Sequence, residues 1–263
     1  MSRPLSLPDV ARGLGTRLIG TAIYLFPRIT STMDAAYRLA QVGAPEGVVV
    51  LAEEQTAGRG RFQRAWVSPP GHNLYLSIIL RPPAEALRRV NMACSLAVVD
   101  TVQKVAGLTP RVKWPNDVRL GGKKVCGILI EGRWEDPQTG WVVAGIGLNV
   151  NATFIGTPLA DIATSLAQEV GHPLDRGEVL RRLLQALDSR YQQALDRFPL
   201  WKEWNHYLEG LGKPVAVQWG GDTVEGMAQG VTPDGDLVVL QDNGTTVVLP
   251  AGEVTTRVSA HSA

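Results

Sequence analysis

Apolar residues recur along this chain with two different periods. The unbroken runs Gly47 to Ala52 (GVVVLA) and Asn73 to Leu80 (NLYLSIIL) have the length and β-branched content of buried strands. From Glu85 to Val105 the period becomes helical, with Leu87, Val90, Cys94, Ala97, Val98, Thr101 and Val105 on one face. Four strands are predicted next: Arg111 to Trp114, Asp117 to Leu120, Lys124 to Glu131 and Trp141 to Val150, with Gly121-Gly122 turning the middle pair into a hairpin. Helices follow at Gly177 to Leu195 and Leu200 to Leu208. Upstream, Ser31 with Asp34 three residues on matches a capping box, which predicts a short helix through Ala35 to Val42 that Gly43 and Pro45 close.

Past Gly210 the texture changes to short β-rich runs (PVAVQW, TVEGMAQGV, LVVL, TTVVL) divided by Gly-Gly-Asp, Pro-Asp-Gly-Asp and Asp-Asn-Gly. This divides the chain into a mixed α/β domain over residues 1–209 and a separate small β-barrel over residues 210–263. The 263 residues, 44% hydrophobic and 19% charged, suffice for one sizeable core and a small second one. Prolines and charged residues interrupt the N-terminal stretch, which leaves neither a signal peptide nor a membrane span there. Cys94 and Cys126 sit in apolar runs, too few and too far apart for a disulfide framework, which suits a reducing cytoplasm.

A formal net charge of +1 supplies no general field for polyanions, so anion binding must come from local clusters. The densest is GRGRFQR, Gly58 to Arg64, between the first two apolar runs. Guanidinium groups offer planar bidentate donors to phosphate or carboxylate, and glycines let the main chain approach a ligand. Spacing alone leaves a solvated arginine loop or an RNA-contacting tip as alternatives. Trp66 and the rigid turn Ser68-Pro69-Pro70-Gly71 follow at once, an unusual setting for a loop that is merely solvated. In Lys113 to Asp117 (KWPND), Pro115 keeps Trp114 extended and Asn116-Asp117 turns, presenting polar groups at a strand end. Lys123 and Lys124 point to opposite sides of their strand, so only one can enter a shared site. Gly127 weakens that strand unless something approaches its backbone, and a surface hairpin with a packing glycine is the alternative. Gly145 to Asn151 (GIGLNVN) ends a β-run with asparagines that serve either a ligand or buried backbone groups. The four histidines are scattered, and no Walker, Gly-x-Ser-x-Gly or His-Glu-x-x-His motif occurs, which argues against a His/Cys metal site and a Ser-His-Asp triad.

QTAGRGRFQRAWVSPPGHNLYLSIIL, RVKWPNDVRLGGKKVCGILIE and GIGLNVN, in this order and spacing, resemble biotin–protein ligase, also called biotin–[acetyl-CoA-carboxylase] ligase. The resemblance runs from about Thr30 through the C-terminal barrel. It implies a class II synthetase-like α/β (α+β) catalytic domain with a mixed sheet and an SH3-like C-terminal barrel. With about 25 residues before the first core strand, it implies the monofunctional type without the N-terminal DNA-binding domain. The implied chemistry is attack of biotin's carboxylate on the α-phosphate of ATP, giving biotinyl-5′-AMP and pyrophosphate. A lysine amine of a biotin carboxyl carrier protein then takes the biotinyl group. ATP with Mg²⁺ and biotin are the implied substrates, no metal-binding residue is assigned, neither DNA nor membrane is expected as a partner, and a homodimer is among the assemblies allowed.

Residue by residue, the resemblance assigns Ser31, Thr32, Met33, Gln55, Gly58, Arg59, Gly60, Arg61, Lys124 and Gly127 to biotin. It assigns Arg61, Arg64, Trp66, Asn116, Lys124 and Asn149 to the nucleotide, with Asp117 a weaker candidate for placing magnesium. Lys124, Arg59 and Arg61 are the implied catalytic residues, with the loop folding over the intermediate. Met33 stands where the family usually has Asn, which removes a polar side chain from the expected rim of the biotin pocket. The segment Ala152 to Asp161, including Phe154, matches the part that covers adenine. Two competing readings are a lipoate–protein ligase, sharing fold and adenylation logic, and a non-catalytic nucleic-acid-binding module. Against the latter, the barrel carries Asp222, Glu225, Asp234, Asp236, Asp242 and Glu253 facing only Lys213 and Arg257.

Overall fold

The apolar runs become a seven-stranded mixed sheet in a computed structural model that describes residues 4–134 and 140–256. Its strands are β1 (Ile23–Phe26), β2 (Val49–Ala52), β3 (Leu74–Leu80), β4 (Arg111–Lys113), β5 (Asp117–Leu120), β6 (Lys123–Trp134) and β7 (Gly140–Leu148), in the spatial order β1-β2-β3-β7-β6-β5-β4. β1 and β2 are parallel, and every other neighbouring pair is antiparallel. The helices are α1 (Leu7–Ala11), α2 (Thr32–Gln41), α3 (Leu87–Ala106), α4 (Leu166–Val170), α5 (Arg176–Leu195) and α6 (Leu200–Tyr207). The strands and helices read from periodicity recur within a few residues of these bounds, and Gly121 and Gly122 both turn with positive φ.

Strand alternation sorts side chains between two cores. Val49, Leu51, Leu74, Leu76, Ile78, Val142, Ala144 and Ile146 join the main core with α3 and α5. Val48, Val50, Ile79 and Val143 face the other way, onto Met33, Ala36 and Ala40 of α2. One side of the sheet is thus roofed by two long helices, and the other is covered only partly, by a ten-residue helix. The uncovered remainder, beyond the N-terminus of α2, is where a site can open.

The C-terminal run forms β8 (Pro214–Trp219), β9 (Asp222–Val231), β10 (Leu237–Leu240), β11 (Thr246–Leu249) and β12 (Glu253–Thr256), an antiparallel five-stranded sheet in the order β11-β10-β9-β8-β12. It shares a core with the larger part: Val215, Val217, Ala228, Leu237, Val239 and Leu249 belong to the same cluster as Trp114 and Trp204. Trp114 Nε1 donates to the Gly235 carbonyl at 2.9 Å. The barrel and the larger part thus pack on each other through a common core. The outer ends of both predicted domains, residues 1–3 and 257–263 with Arg257, lie outside the described residues.

One buried ion pair ties the start of the chain to the sheet. Arg176, 3% exposed, donates to Glu53 at 2.7 Å and to the Asn73 carbonyl at 3.3 Å, and Glu53 also accepts from the Leu5 amide at 2.6 Å. Burial alone would raise the Glu53 pKa, but the bonds from Arg176 and Leu5 hold it below its ordinary 4.5. With the folded value depressed, the pair stabilises fully above about pH 4.5 and is lost as pH falls through the folded value. R176M, which leaves Glu53 without its cation, is expected to lower unfolding free energy by about 3–5 kcal/mol at pH 7 in urea titrations. The difference from wild type should shrink below pH 4.5.

Candidate active site

On the α2 side of the sheet, three positions carry no side chain. Gly127 of β6 pairs with Gly147 of β7, and Gly145 lies two residues further along the same face. Into this hollow fit two side chains from elsewhere. A Cβ on Gly147 would lie 2.5 Å from the Trp66 indole, one on Gly127 3.0 Å from it, and one on Gly145 2.5 Å from Met33 Sδ. The glycines are therefore demanded by close approach rather than by backbone angle. Met33 is 5% exposed and packs between α2 and the sheet with the second core, and it also lines the cavity, so an apolar side chain stands at the expected pocket rim.

Lys124 reaches the same hollow through an irregularity. On β6, Val118 pairs with Cys126 and Arg119 with Lys124, so Val125 is an extra residue. Val125 and Cys126 consecutively enter the main core, and Lys124 emerges on the face of Gly127, although regular alternation would place them on opposite faces. Lys123 turns away and donates to the Ala160 carbonyl at 2.6 Å. Lys124 Nζ stands 2.7 Å from Asp117 Oδ1 and 5.2 Å from the centre of the Trp66 ring.

Ser31 and Thr32 stand at the N-terminus of α2. The expected capping box does not form: the Ser31 side chain caps nothing, and Asp34 turns out to Arg59. Gln55 takes the cap's place, its Oε1 accepting from the Thr32 amide at 2.8 Å and from Thr32 Oγ1 at 3.0 Å, while Ser77 Oγ donates to Thr32 Oγ1 at 2.9 Å. The Ser31 hydroxyl is left 1% exposed without a hydrogen-bond partner among the described residues, as is Trp66 Nε1. Buried polar atoms of this kind stand ready for a ligand.

Residues 55–68, the arginine loop, fold back as a flap. Gln55 bridges Ser68, Arg59 bridges Ala65, and the tip at Arg61–Gln63 is a 3₁₀ turn with positive φ at Phe62 and Gln63. Its three arginines reach different parts of the protein. Arg59 pairs with Asp34 at 2.8 Å and Glu131 at 3.0 Å. Arg64 donates twice to Glu253 at 2.7 and 2.8 Å, and these bonds raise its pKa. Among the described residues Arg61 hydrogen-bonds neutral oxygens, Asn116 Oδ1 and the Gly252 carbonyl, both at 3.1 Å, and lies 4.9 Å from the centre of the Phe62 ring. Burial, aided by Arg64, lowers the Arg61 pKa against the opposing fields of Asp117 and Glu253. Arg61 is thus the guanidinium of the flap best placed to answer an incoming anion.

Together these residues enclose a cavity of about 490 Å³. Its wall contains Ser31, Thr32, Met33, Gln55, Arg59, Gly60, Arg61, Arg64, Trp66, Asn116, Asp117, Lys124, Gly127, Asn149 and Phe154. Gly58 is not on the wall; a side chain there would strike the Trp66 carbonyl at 2.6 Å and Ser68 Oγ at 2.8 Å, so it serves the fold of the flap. The Asn149 side chain is spent internally: Nδ2 donates to the Thr164 carbonyl at 3.0 Å and the Lys124 carbonyl at 3.5 Å, and Oδ1 accepts from Asn73. Among the wall residues that sequence reasoning missed are Lys113, Ile162, Ala163 and, from the barrel, Glu253 and Val254, whereas Leu159 falls in the segment expected to cover adenine. Lys113 lay in plain view inside KWPND; nothing local in the barrel sequence marks Glu253.

The floor gives a direct test. Gly147→Ala would push Trp66 off the sheet and loosen the flap above it. A loss of roughly 1.4 kcal/mol of flap packing raises the open population about tenfold, so tryptic cleavage at the flap arginines should speed up about tenfold with the global urea midpoint little changed.

Comparisons with known proteins point one way. The Biotin/lipoate A/B protein ligase family matches residues 25–149, and the Biotin protein ligase C terminal domain matches residues 210–257. The bifunctional ligase/repressor BirA of Bacillus subtilis is 35% identical over 246 residues, covering 91% of this chain and 76% of that protein. The biotin–[acetyl-CoA-carboxylase] ligase of Paracoccus denitrificans is 36% identical over 240 residues, 88% of this chain and 98% of that one. The biotin protein ligase of Aquifex aeolicus, solved in complex with biotin and ATP, superposes with a TM-score of 0.78 at 28% identity over 90% of this chain and 99% of that chain. With its glycine-floored cavity, arginine flap and C-terminal sheet, the chain belongs to the biotin protein ligases of the biotin/lipoate A/B protein ligase family.

Proposed function

We propose that this chain joins biotin to ATP as biotinyl-5′-AMP, releases pyrophosphate, and passes the biotinyl group to a lysine amine on the carrier domain of a biotin-dependent carboxylase. The observation that carries the reading is the order of chemistry along the glycine floor. The α2 N-terminus, with the orphaned Ser31 hydroxyl and the Thr32–Gln55 pair, stands by Gly145, whose β3 partner Ser77 bonds Thr32. The Lys124 ammonium lies against Gly127, whose β7 partner Gly147 is two residues from Gly145, roughly 7 Å along the floor at strand rise. A flat ring whose amides need polar partners suits the first end, and its short acid tail then delivers the carboxylate to the cations at the second.

The wall offers charge and position, in keeping with a reaction that needs no protein nucleophile. Lys124 acts as a compact cation on the α-phosphate, where negative charge grows as the pentavalent transition state forms. Its present partner Asp117, 2.7 Å away, holds the ammonium until phosphate arrives. Arg61, freed from two neutral carbonyl-type acceptors, adds a planar donor at little cost in displaced bonds. Trp66 rests on Gly127 and Gly147 and offers a face for stacking the adenine. Magnesium enters with ATP, held chiefly by phosphate oxygens and water, with Asp117 as the carboxylate at hand; among the described residues no cluster of three or more His, Cys, Asp or Glu forms a resident metal site. The folded flap keeps water from the mixed anhydride.

Biotin-dependent exchange of labelled pyrophosphate into ATP tests adenylation without the carrier, with lipoate in a parallel tube. Exchange with biotin alone is the expected outcome; exchange with lipoate alone would overturn the substrate assignment. Lys124→Ala is expected to lower the exchange kcat about 10²–10³-fold, the range for removing a preorganised charge from a developing oxyanion.

A further inference from the structure

The Arg59 side chain lies at the wall of the cavity, yet its guanidinium is already engaged: Nη2 sits 2.8 Å from Asp34 Oδ1 and donates to Glu131 Oε2 at 3.0 Å. Neither carboxylate belongs to the flap. Asp34 is on the first turn of α2, the helix whose N-terminus presents Ser31 and Thr32, and Glu131 is on β6, the strand that carries Lys124 and Gly127. One nitrogen therefore joins the flap to both elements that frame the cavity. Two carboxylates around one guanidinium leave this cluster net negative, a poor attractant for phosphate, while Arg61 two residues on has no carboxylate bonded to it among the described residues. The flap has thus divided its arginines between holding itself down and meeting the ligand.

We propose that Asp34 and Glu131 are positioning residues that act through Arg59: together they form a latch that draws the flap onto the cavity and sets how long the adenylate is retained. The proposal rests on the biotin-ligase reading for the identity of the retained molecule, but the latch itself is a property of the empty protein. All three side chains are between 37% and 40% exposed, so the pairs are weak, open readily and are screened by salt. That suits a cover that must lift twice in each cycle, once for substrates to enter and once for an acceptor lysine to reach the anhydride. Asp34 also explains itself here, since its side chain is the one that left the expected capping box.

The test has two arms. In the ligand-free protein, tryptic cleavage at the flap arginines should be about three- to tenfold faster in the double variant D34N/E131Q than in wild type, the range for losing two partly exposed ion pairs. In the second arm, labelled biotin and ATP with pyrophosphatase form the adenylate without acceptor, and its release into solvent is followed. Release should quicken by the same factor and the KM for biotin should rise with it, while the exchange kcat moves less than the KM. Release from wild type should speed up with added salt, and that dependence should flatten in D34N/E131Q. D34E/E131D, which restores both charges, should return cleavage and release towards wild type. Equal cleavage in wild type and D34N/E131Q would overturn the latch, as would a D34E/E131D variant that behaves like D34N/E131Q. Failure of wild type to form any adenylate would instead strike the biotin-ligase reading and leave the cleavage arm to decide the latch.

Discussion

The site depends on a patch of bare backbone. Gly127, Gly145 and Gly147 remove the side chains from one face of two paired strands, and the Trp66 and Met33 side chains lie where Cβ atoms would otherwise stand. Every other element answers to that hollow. The flap is folded over it because Trp66 has somewhere flat to rest. Helix α2 ends beside it because Met33 can press against Gly145. The β-bulge at Val125 returns Lys124 to the same face, where it lies against Gly127. A single methyl group at any of the three would displace the Trp66 indole, the Lys124 side chain or Met33.

Around this floor the protein arranges charge rather than nucleophiles. Lys124 is held by Asp117, Arg59 by Asp34 and Glu131, and Arg64 by Glu253, so most cations near the cavity have a carboxylate to leave before they meet an anion. These partly exposed pairs are individually weak, ~0.2–1 kcal/mol for a pair such as Arg59–Asp34, and so can exchange partners during a reaction. The buried pair Arg176–Glu53 belongs to a different class. Arg176 also reaches the Asn73 carbonyl, and the Asn73 side chain holds the amides of Val150 and Ala152 beyond the end of β7. That chain of bonds fixes the strand end on which Asn149, and through it the Lys124 carbonyl, depends. Weak, partly exposed pairs surround the flap, and a desolvated pair anchors the frame.

The C-terminal sheet takes part in the site as well as in the core. Gly252 gives Arg61 an acceptor, Glu253 clamps Arg64, and Trp114 of KWPND donates into the turn before β10. The tip of the flap is therefore held by a part of the chain nearly two hundred residues away in sequence. One of its acidic residues has a definite partner there: Glu253 is the counter-charge of Arg64.

Local pattern determined the elements. Alternation and helical period placed β2 to β7, α3, α5 and α6, because burial on one face or both writes its period directly into the sequence. The motifs GRGRFQR, KWPND and GIGLNVN pointed to the family and to the glycine floor and flap arginines of the cavity wall, since close approach and anion binding require glycine and arginine whatever surrounds them. Tertiary structure decided the partnerships. Which cation is occupied and which is open turns on Asp34, Glu131 and Glu253, carboxylates from α2, β6 and β12 that converge on one flap. Ser31 read locally as a helix cap, and only Gln55 arriving from the next strand's end released its hydroxyl to the cavity. Lys124 shares a face with Gly127 through a bulge that no residue in KKVCG announces, because a change of register belongs to the pairing with β5 and not to either strand alone.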